Sequence, residues 1–146
     1  MLLRDRGHQV ALACRDPAQA AAIRASGRNP RYLSSVDLTG VSPCSIPGAP
    51  IEESDLVAVA VPSRAFGEVV AALPGSAPVL SLSKGLDPVT GERLSTLVRN
   101  RPVAVLSGPN IAEEVVRGLP AAAVVASTDA ELTATLQYAI DRKSVV

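Results

Sequence analysis

Aromatic side chains are nearly missing from this 146-residue chain, which holds two tyrosines, one phenylalanine and no tryptophan. Its core must therefore be built from Ala, Val, Leu and Ile, a palette that suits a parallel α/β sheet. A surplus of charge is missing as well: 14 Lys and Arg balance 14 Asp and Glu, and no basic cluster interleaves with aromatics. This excludes the electrostatic footprint and the stacking platform of a nucleic-acid binder. No apolar run approaches the ~20 residues needed to cross a bilayer, and Met-Leu-Leu-Arg-Asp-Arg at the start lacks the apolar stretch of a signal peptide. No membrane partner is expected, and the default compartment is the cytoplasm. Cys14 and Cys44 show neither CxxC spacing nor a nearby histidine, so they read as two free thiols rather than a metal site or a disulfide. His8, the only histidine, falls at a turn into a strand, where local hydrogen bonding accounts for it better than catalysis.

What is present is an alternation of short apolar runs and helical patterns, and the length fits one domain. Residues 1–6 read as the end of a helix closed by Gly7, and 9–14 as a strand. Asp16 then suits an N-cap and Pro17 the first helical position, with 18–26 a helix closed by Gly27. Residues 28–33 read as a polar turn, and from Ser34 to Pro50 the chain is rich in Ser, Pro and Gly, which predicts a surface loop with room for one short strand. Residues 56–61 form the clearest buried strand, followed by a helix over 64–73 with Phe66, Val69, Val70 and Leu73 on one face. A strand over 79–82, a helix over 92–98 and a strand over 103–106 come next. Beyond Ser-Gly-Pro-Asn, Ile111, Val115 and Val116 recur at helical spacing. A strand over 121–126 and a final helix over 129–140, opened by a capping box of Thr128 and Glu131, complete the order. Near-continuous Val/Ala/Leu runs predict a parallel sheet covered on both faces.

Three strand ends carry polar groups: Pro62-Ser63, Ser83-Lys84-Gly85 and Ser107-Gly108-Pro109-Asn110. In a parallel sheet these loops share the carboxyl edge, where ligands of open α/β folds bind. Lys84 is the only cation among them, and Gly85 beside it allows close backbone approach, so a phosphate or a reacting oxygen suits that position. A solvated turn lysine is the plainer alternative. Arg15 follows a strand and precedes a helix, the place where dinucleotide-binding folds read the adenosine ribose and where an Arg accommodates a 2′-phosphate. An exposed surface arginine is the alternative there.

The strings Gly-His-Gln-Val-Ala-Leu-Ala-Cys-Arg-Asp-Pro, Asn-Pro-Arg-Tyr-Leu, Ala-Val-Pro-Ser, Leu-Ser-Lys-Gly-Leu-Asp and Leu-Ser-Gly-Pro-Asn-Ile-Ala-Glu-Glu-Val occur in this order. Together they resemble the amino-terminal domain of the bacterial NAD(P)-dependent glycerol-3-phosphate dehydrogenases, over about residues 2–140. The resemblance implies a Rossmann-like parallel sheet with helices on both faces and NADP or NAD as cofactor. The substrates it implies are dihydroxyacetone phosphate and glycerol 3-phosphate, and it leaves room for a homodimer of the complete enzyme. It implies that Arg15, Tyr32, Pro62, Ser63, Lys84 and Ala112 meet the cofactor. It further implies that Lys84, Gly108 and Asn110 meet the substrate, with Lys84 the catalytic residue that steadies the reacting oxygen. Asn110 stands where the family commonly has Ser or Thr.

Two departures accompany these matches. No Gly-x-Gly-x-x-Gly turn precedes Gly7, so the usual first strand and the glycine-rich pyrophosphate turn are expected to be lacking. The helical substrate domain, with its acid/base lysine, is expected to be absent after Val146. Residues 1–146 thus read as a partial NAD(P)-binding domain from which little turnover is expected. Another hydroxyacid-type dehydrogenase domain, a non-catalytic nucleotide-binding module, or a gene fragment without a function of its own remain as alternatives.

Overall fold

A computed structural model describes residues 2–140. The chain divides into two compact units: residues up to Pro50 together with 111–120, and residues 51–110 together with the segment beginning at Ala121.

In the first unit, α1 (Leu2–Asp5) leads to β1 (Val10–Cys14), α2 (Pro17–Ser26) and β2 (Val41–Ser45), and the later segment contributes α4 (Ala112–Val116). The start of α2 forms as its sequence dictates. The Asp16 carboxylate accepts the Ala18 N–H at 2.9 Å, satisfying one of the amides a helix leaves unpaired. Gly27 ends the helix at φ 66°, a left-handed conformation that costs glycine little, and its N–H returns to the Ile23 carbonyl. β1 and β2 pair in parallel from Val10↔Val41 to Cys14↔Ser45, so the loop expected over 34–50 does contain one short strand. Cys14, Ala20 and Ile23 are buried together, with Leu12 and Leu38 packed against them. The alternate residues of β1, Ala11 and Ala13, are exposed. Arginines hold the loops of this unit through carbonyl oxygens: Arg4 reaches Asp37 and Thr39, Arg28 reaches Ser35, and Arg24 reaches Pro43, all at 2.7–2.9 Å.

The second unit is a four-stranded sheet in the order β3 (Val57–Val59), β4 (Val79–Ser81), β5 (Val103–Ser107), β6 (Val124–Ser127). α3 (Ser63–Ala71) and a 3₁₀ turn (Leu94–Leu97) cover one face, burying Val59, Phe66, Val70, Val79 and Leu94. α5 (Ala130–Ile140) covers the other, where Leu136 meets Leu80 and Ala104. Successive β4 residues Val79 and Leu80 thus enter opposite layers, as strand geometry requires. Phe66 is completely buried, and its withdrawal from water contributes roughly 1.5–3 kcal/mol.

The structure corrects the sequence reading at several points. The strands form two sheets, and β6 runs antiparallel to β5, from Ala104↔Ser127 to Ser107↔Val124. The edge strand alternates exposed and half-buried residues, the pattern of an edge with one solvated face rather than of a strand buried on both. Residues 121–123 precede β6 instead of belonging to it, and β3 is shorter than the apolar run over 56–61. The α-helix expected over 92–98 is only the 3₁₀ turn. There the Thr96 hydroxyl bonds the Arg93 carbonyl at 2.8 Å, local bonding that competes with α-helix formation. The last helix is capped by Asp129, whose carboxylate accepts the Leu132 N–H at 3.0 Å, and not by the Thr128 box. α4 has five residues and buries none of them, so Val115 and Val116 stay half-exposed.

Candidate functional site

β3, β4 and β5 are parallel and level: Val57, Val79 and Val103 lie in one row, and Val59, Ser81 and Val105 in the next. Level parallel strands bring the loops after them to one edge, as the sequence reading expected. Two side chains then tie these loops together. The Ser83 hydroxyl donates to the Val61 carbonyl at 2.6 Å and accepts the Val61 N–H at 3.2 Å, fixing the chain just before Pro62 and Ser63. Lys84 Nζ donates to the Gly108 carbonyl and to Asn110 Oδ1, each at 3.1 Å. The edge is therefore a continuous bonded structure from Val61 to Asn110.

The Ser-Gly-Pro-Asn loop has the shape its residues allow. The Gly108 carbonyl accepts the Asn110 N–H at 2.9 Å, closing a three-residue turn around Pro109. Gly108 adopts φ 141°, and a Cβ there would lie 2.5 Å from the Ala122 carbonyl oxygen. Only glycine fits, because both the backbone angle and the space exclude a side chain.

The predicted site residues fall into the two units. Pro62, Ser63, Lys84, Gly108 and Asn110 belong to the second, Arg15, Tyr32 and Ala112 to the first. Ser63 opens α3 behind Pro62, with no side chain capping that helix. Arg15 is exposed directly after β1, and no partner of its guanidinium occurs among the described residues. Tyr32 is 64% exposed, and its N–H is held by the Asn29 side chain at 3.3 Å. Ala112 is exposed at the first position of α4. Ser83 stands among the polar strand ends of the sequence reading, without a role of its own. Its signal was the Ser-Lys pair at a strand end, but only the fold brings Val61 to it.

The cysteines stay out of this chemistry. Burial, then the neighbouring Cys44 and Asp16, push the Cys14 thiol above its ordinary pKa, so it remains protonated near neutrality. Among the described residues no cluster of His, Cys, Asp or Glu could hold a metal ion, and no helix is long and apolar enough to cross a membrane.

Fold and edge together define a Rossmann-like α/β protein with a lysine at the carboxyl edge of its sheet. Comparison with solved structures agrees. Glycerol-3-phosphate dehydrogenase from Coxiella burnetii superposes with a TM-score of 0.88 at 26% identity, over 97% of this chain and 46% of that one. The Plasmodium falciparum enzyme shares the fold, with a TM-score of 0.82 at 21% identity. Residues 1–133 match the family described as NAD-dependent glycerol-3-phosphate dehydrogenase N-terminus, and the chain belongs to that family. Among curated relatives, the glycerol-3-phosphate dehydrogenase [NAD(P)+] of Ectopseudomonas mendocina is 40% identical over 95% of this chain and 43% of that protein. The one from Moorella thermoacetica is 40% identical over 97% of this chain and 44% of that protein. The chain thus spans less than half the length of the relatives it matches.

Proposed function

We propose that this chain is the cofactor-binding part of an enzyme that interconverts dihydroxyacetone phosphate and glycerol 3-phosphate with NADPH or NADH. The observation that carries the reading is Lys84. Its ammonium is seated on two neutral oxygens at the sheet edge and paired with no carboxylate among the described residues. An uncompensated cation at this edge suits an oxygen that gains negative charge.

Taken unit by unit, the residue types suit the groups of a dinucleotide. In the first unit the exposed Arg15 guanidinium offers the planar fork that matches a 2′-phosphate. Tyr32 presents an exposed ring, and Ala112 exposes only a methyl group to a neighbouring ligand. In the second unit Pro62 and Ser63 present the open start of α3. When bound, the nicotinamide supplies or accepts the hydride. Lys84 binds the ketone oxygen and stabilises the charge that develops there as the carbonyl becomes an alkoxide. Gly108 lets the turn close against the Ala122 backbone, where a Cβ would lie 2.5 Å from the Ala122 carbonyl oxygen, and Asn110 contributes a hydrogen-bonding group to the substrate.

Titrating the chain with NADPH, NADH and adenosine 2′,5′-bisphosphate tests the reading. Binding of NADPH and the bisphosphate is expected. Arg15→Asp should weaken the bisphosphate at least about tenfold, the size of a lost charge-assisted contact, while leaving NADH little changed. Binding of none of the three by the folded chain would overturn it.

A further inference from the structure

We propose that Asn110 is a positioning residue for Lys84. Its side-chain carbonyl, together with the Gly108 main-chain carbonyl, holds the ammonium so that one N–H is left for an oxyanion or carbonyl oxygen of a small ligand. The inference deepens the function proposed above and rests on that reading for the identity of the ligand, though not for the positioning itself.

The geometry supplies the argument. An ammonium has three N–H donors in a tetrahedral array. Two of them are committed to acceptors in a single turn, Gly108 O and Asn110 Oδ1, each 3.1 Å away. With two directions fixed, the third is fixed too. The same Gly108 carbonyl accepts the Asn110 N–H at 2.9 Å, so the turn that presents one acceptor also sets the backbone carrying the other. Gly108 itself is pinned against the Ala122 carbonyl. A four-carbon lysine stem with an exposed head otherwise samples many rotamers, and seating it beforehand removes that entropy cost from ligand binding.

Composition makes the choice of lysine pointed. Of the 14 basic residues only Lys84 and Lys143 are lysines, the other twelve being arginines. A guanidinium spreads its charge and five donors over a flat fork, as Arg4 does on the Asp37 and Thr39 carbonyls and the Asp5 carboxylate, whereas an ammonium seated on two carbonyls keeps a compact charge with a single N–H to offer. Asparagine is equally specific. Its amide carbonyl accepts without neutralising the cation, and its NH₂ group remains free to donate to the same ligand. An aspartate would hold the ammonium more strongly but quench the charge the ligand needs.

The test uses the 146-residue chain with ¹⁵N-labelled lysine and a Lys143→Arg change, so that one ammonium signal remains. In this protein the Lys84 ammonium is expected to be ordered and slow to exchange with water. In Asn110→Ala, with an unchanged backbone amide spectrum, the signal should broaden or vanish. Equal order in both proteins overturns the positioning role. Asn110→Asp should keep the ammonium ordered yet bind glycerol 3-phosphate at least about tenfold more weakly, because the carboxylate neutralises the cation. Unchanged affinity in that variant overturns the charge argument. An ordered ammonium that depends on Asn110, in a chain that binds no glycerol 3-phosphate, upholds the positioning and counts against the proposed function instead.

Discussion

The two units solve the same problem, burying a small sheet, parallel in the first and mixed in the second, with different means. The second unit covers both faces of its sheet and encloses Phe66, Val79 and Leu80 in opposite layers. The first covers one face of a two-stranded ribbon around Cys14, Ala20 and Ile23, and leaves Ala11 and Ala13 exposed. It relies instead on arginines bonded to loop carbonyls and on helix caps. The second unit has such a staple too, Arg101 bonding the Leu73, Pro74 and Gly75 carbonyls after α3, but there it supplements a core. Apolar burial gains with every residue enclosed, whereas a hydrogen bond exposed to water adds little net stability. The candidate lysine site is therefore carried by the unit with the thicker core, where a fixed edge can hold an ammonium in one place.

Substitutions can break this comparison. Phe66→Ala should cost the second unit about 4 kcal/mol, and Ile23→Ala should cost the first nearer 2 kcal/mol, since fewer neighbours enclose the cavity left behind. Urea unfolding followed by amide signals in each unit measures both, and equal losses would end the distinction. Asp16→Ala should remove about 1 kcal/mol through the lost cap of α2. Hydrogen exchange along residues 17–26 should show that loss, and an unaltered pattern would mean the cap is idle. Ser81→Ala has the opposite sign. Its hydroxyl is 1% exposed and finds no hydrogen-bond partner, so removing it should range from neutral to about 1 kcal/mol stabilising by thermal unfolding.

The smallest effect concerns acid. The Thr39 hydroxyl, then the Thr39 N–H, hold the Asp37 carboxyl below its usual pKa despite its exposure. Because the folded pKa is lowered, the stability this turn contributes is present above the ordinary carboxylate range. It is lost as pH falls through the lowered value. The Thr39 amide shift should report that titration, and Thr39→Val should move the midpoint upward.

Local signals were legible in the sequence because they depend on neighbours a few residues away. Asp16-Pro17 and Gly27 bracket α2 in both readings, and Phe66 and Val70 share the buried face of α3 as their spacing required. The capping box at Thr128 failed by one residue, because Asp129 beside it accepts better and the Ser127 hydroxyl holds the Asp129 N–H at 3.0 Å. Of the site, the three polar strand ends and Lys84 were visible as types at positions. That Ser83 binds Val61 was not, since the two are far apart in sequence and meet only through the pairing of β3 with β4.

By itself the sequence determined where α2 begins and ends, which face of α3 enters a core, and which short polar strings stand at strand ends. Period, capping and turn chemistry act within a few residues, so one chain suffices to read them. Tertiary structure alone decided that the strands form two sheets, that β6 runs against β5, and that Lys84 rests on Gly108 and Asn110. Those outcomes depend on which distant backbone groups find partners. A Val/Ala run has the same pattern whichever way its neighbour points, and a lysine has the same letter whether it waves in water or is held by two carbonyls.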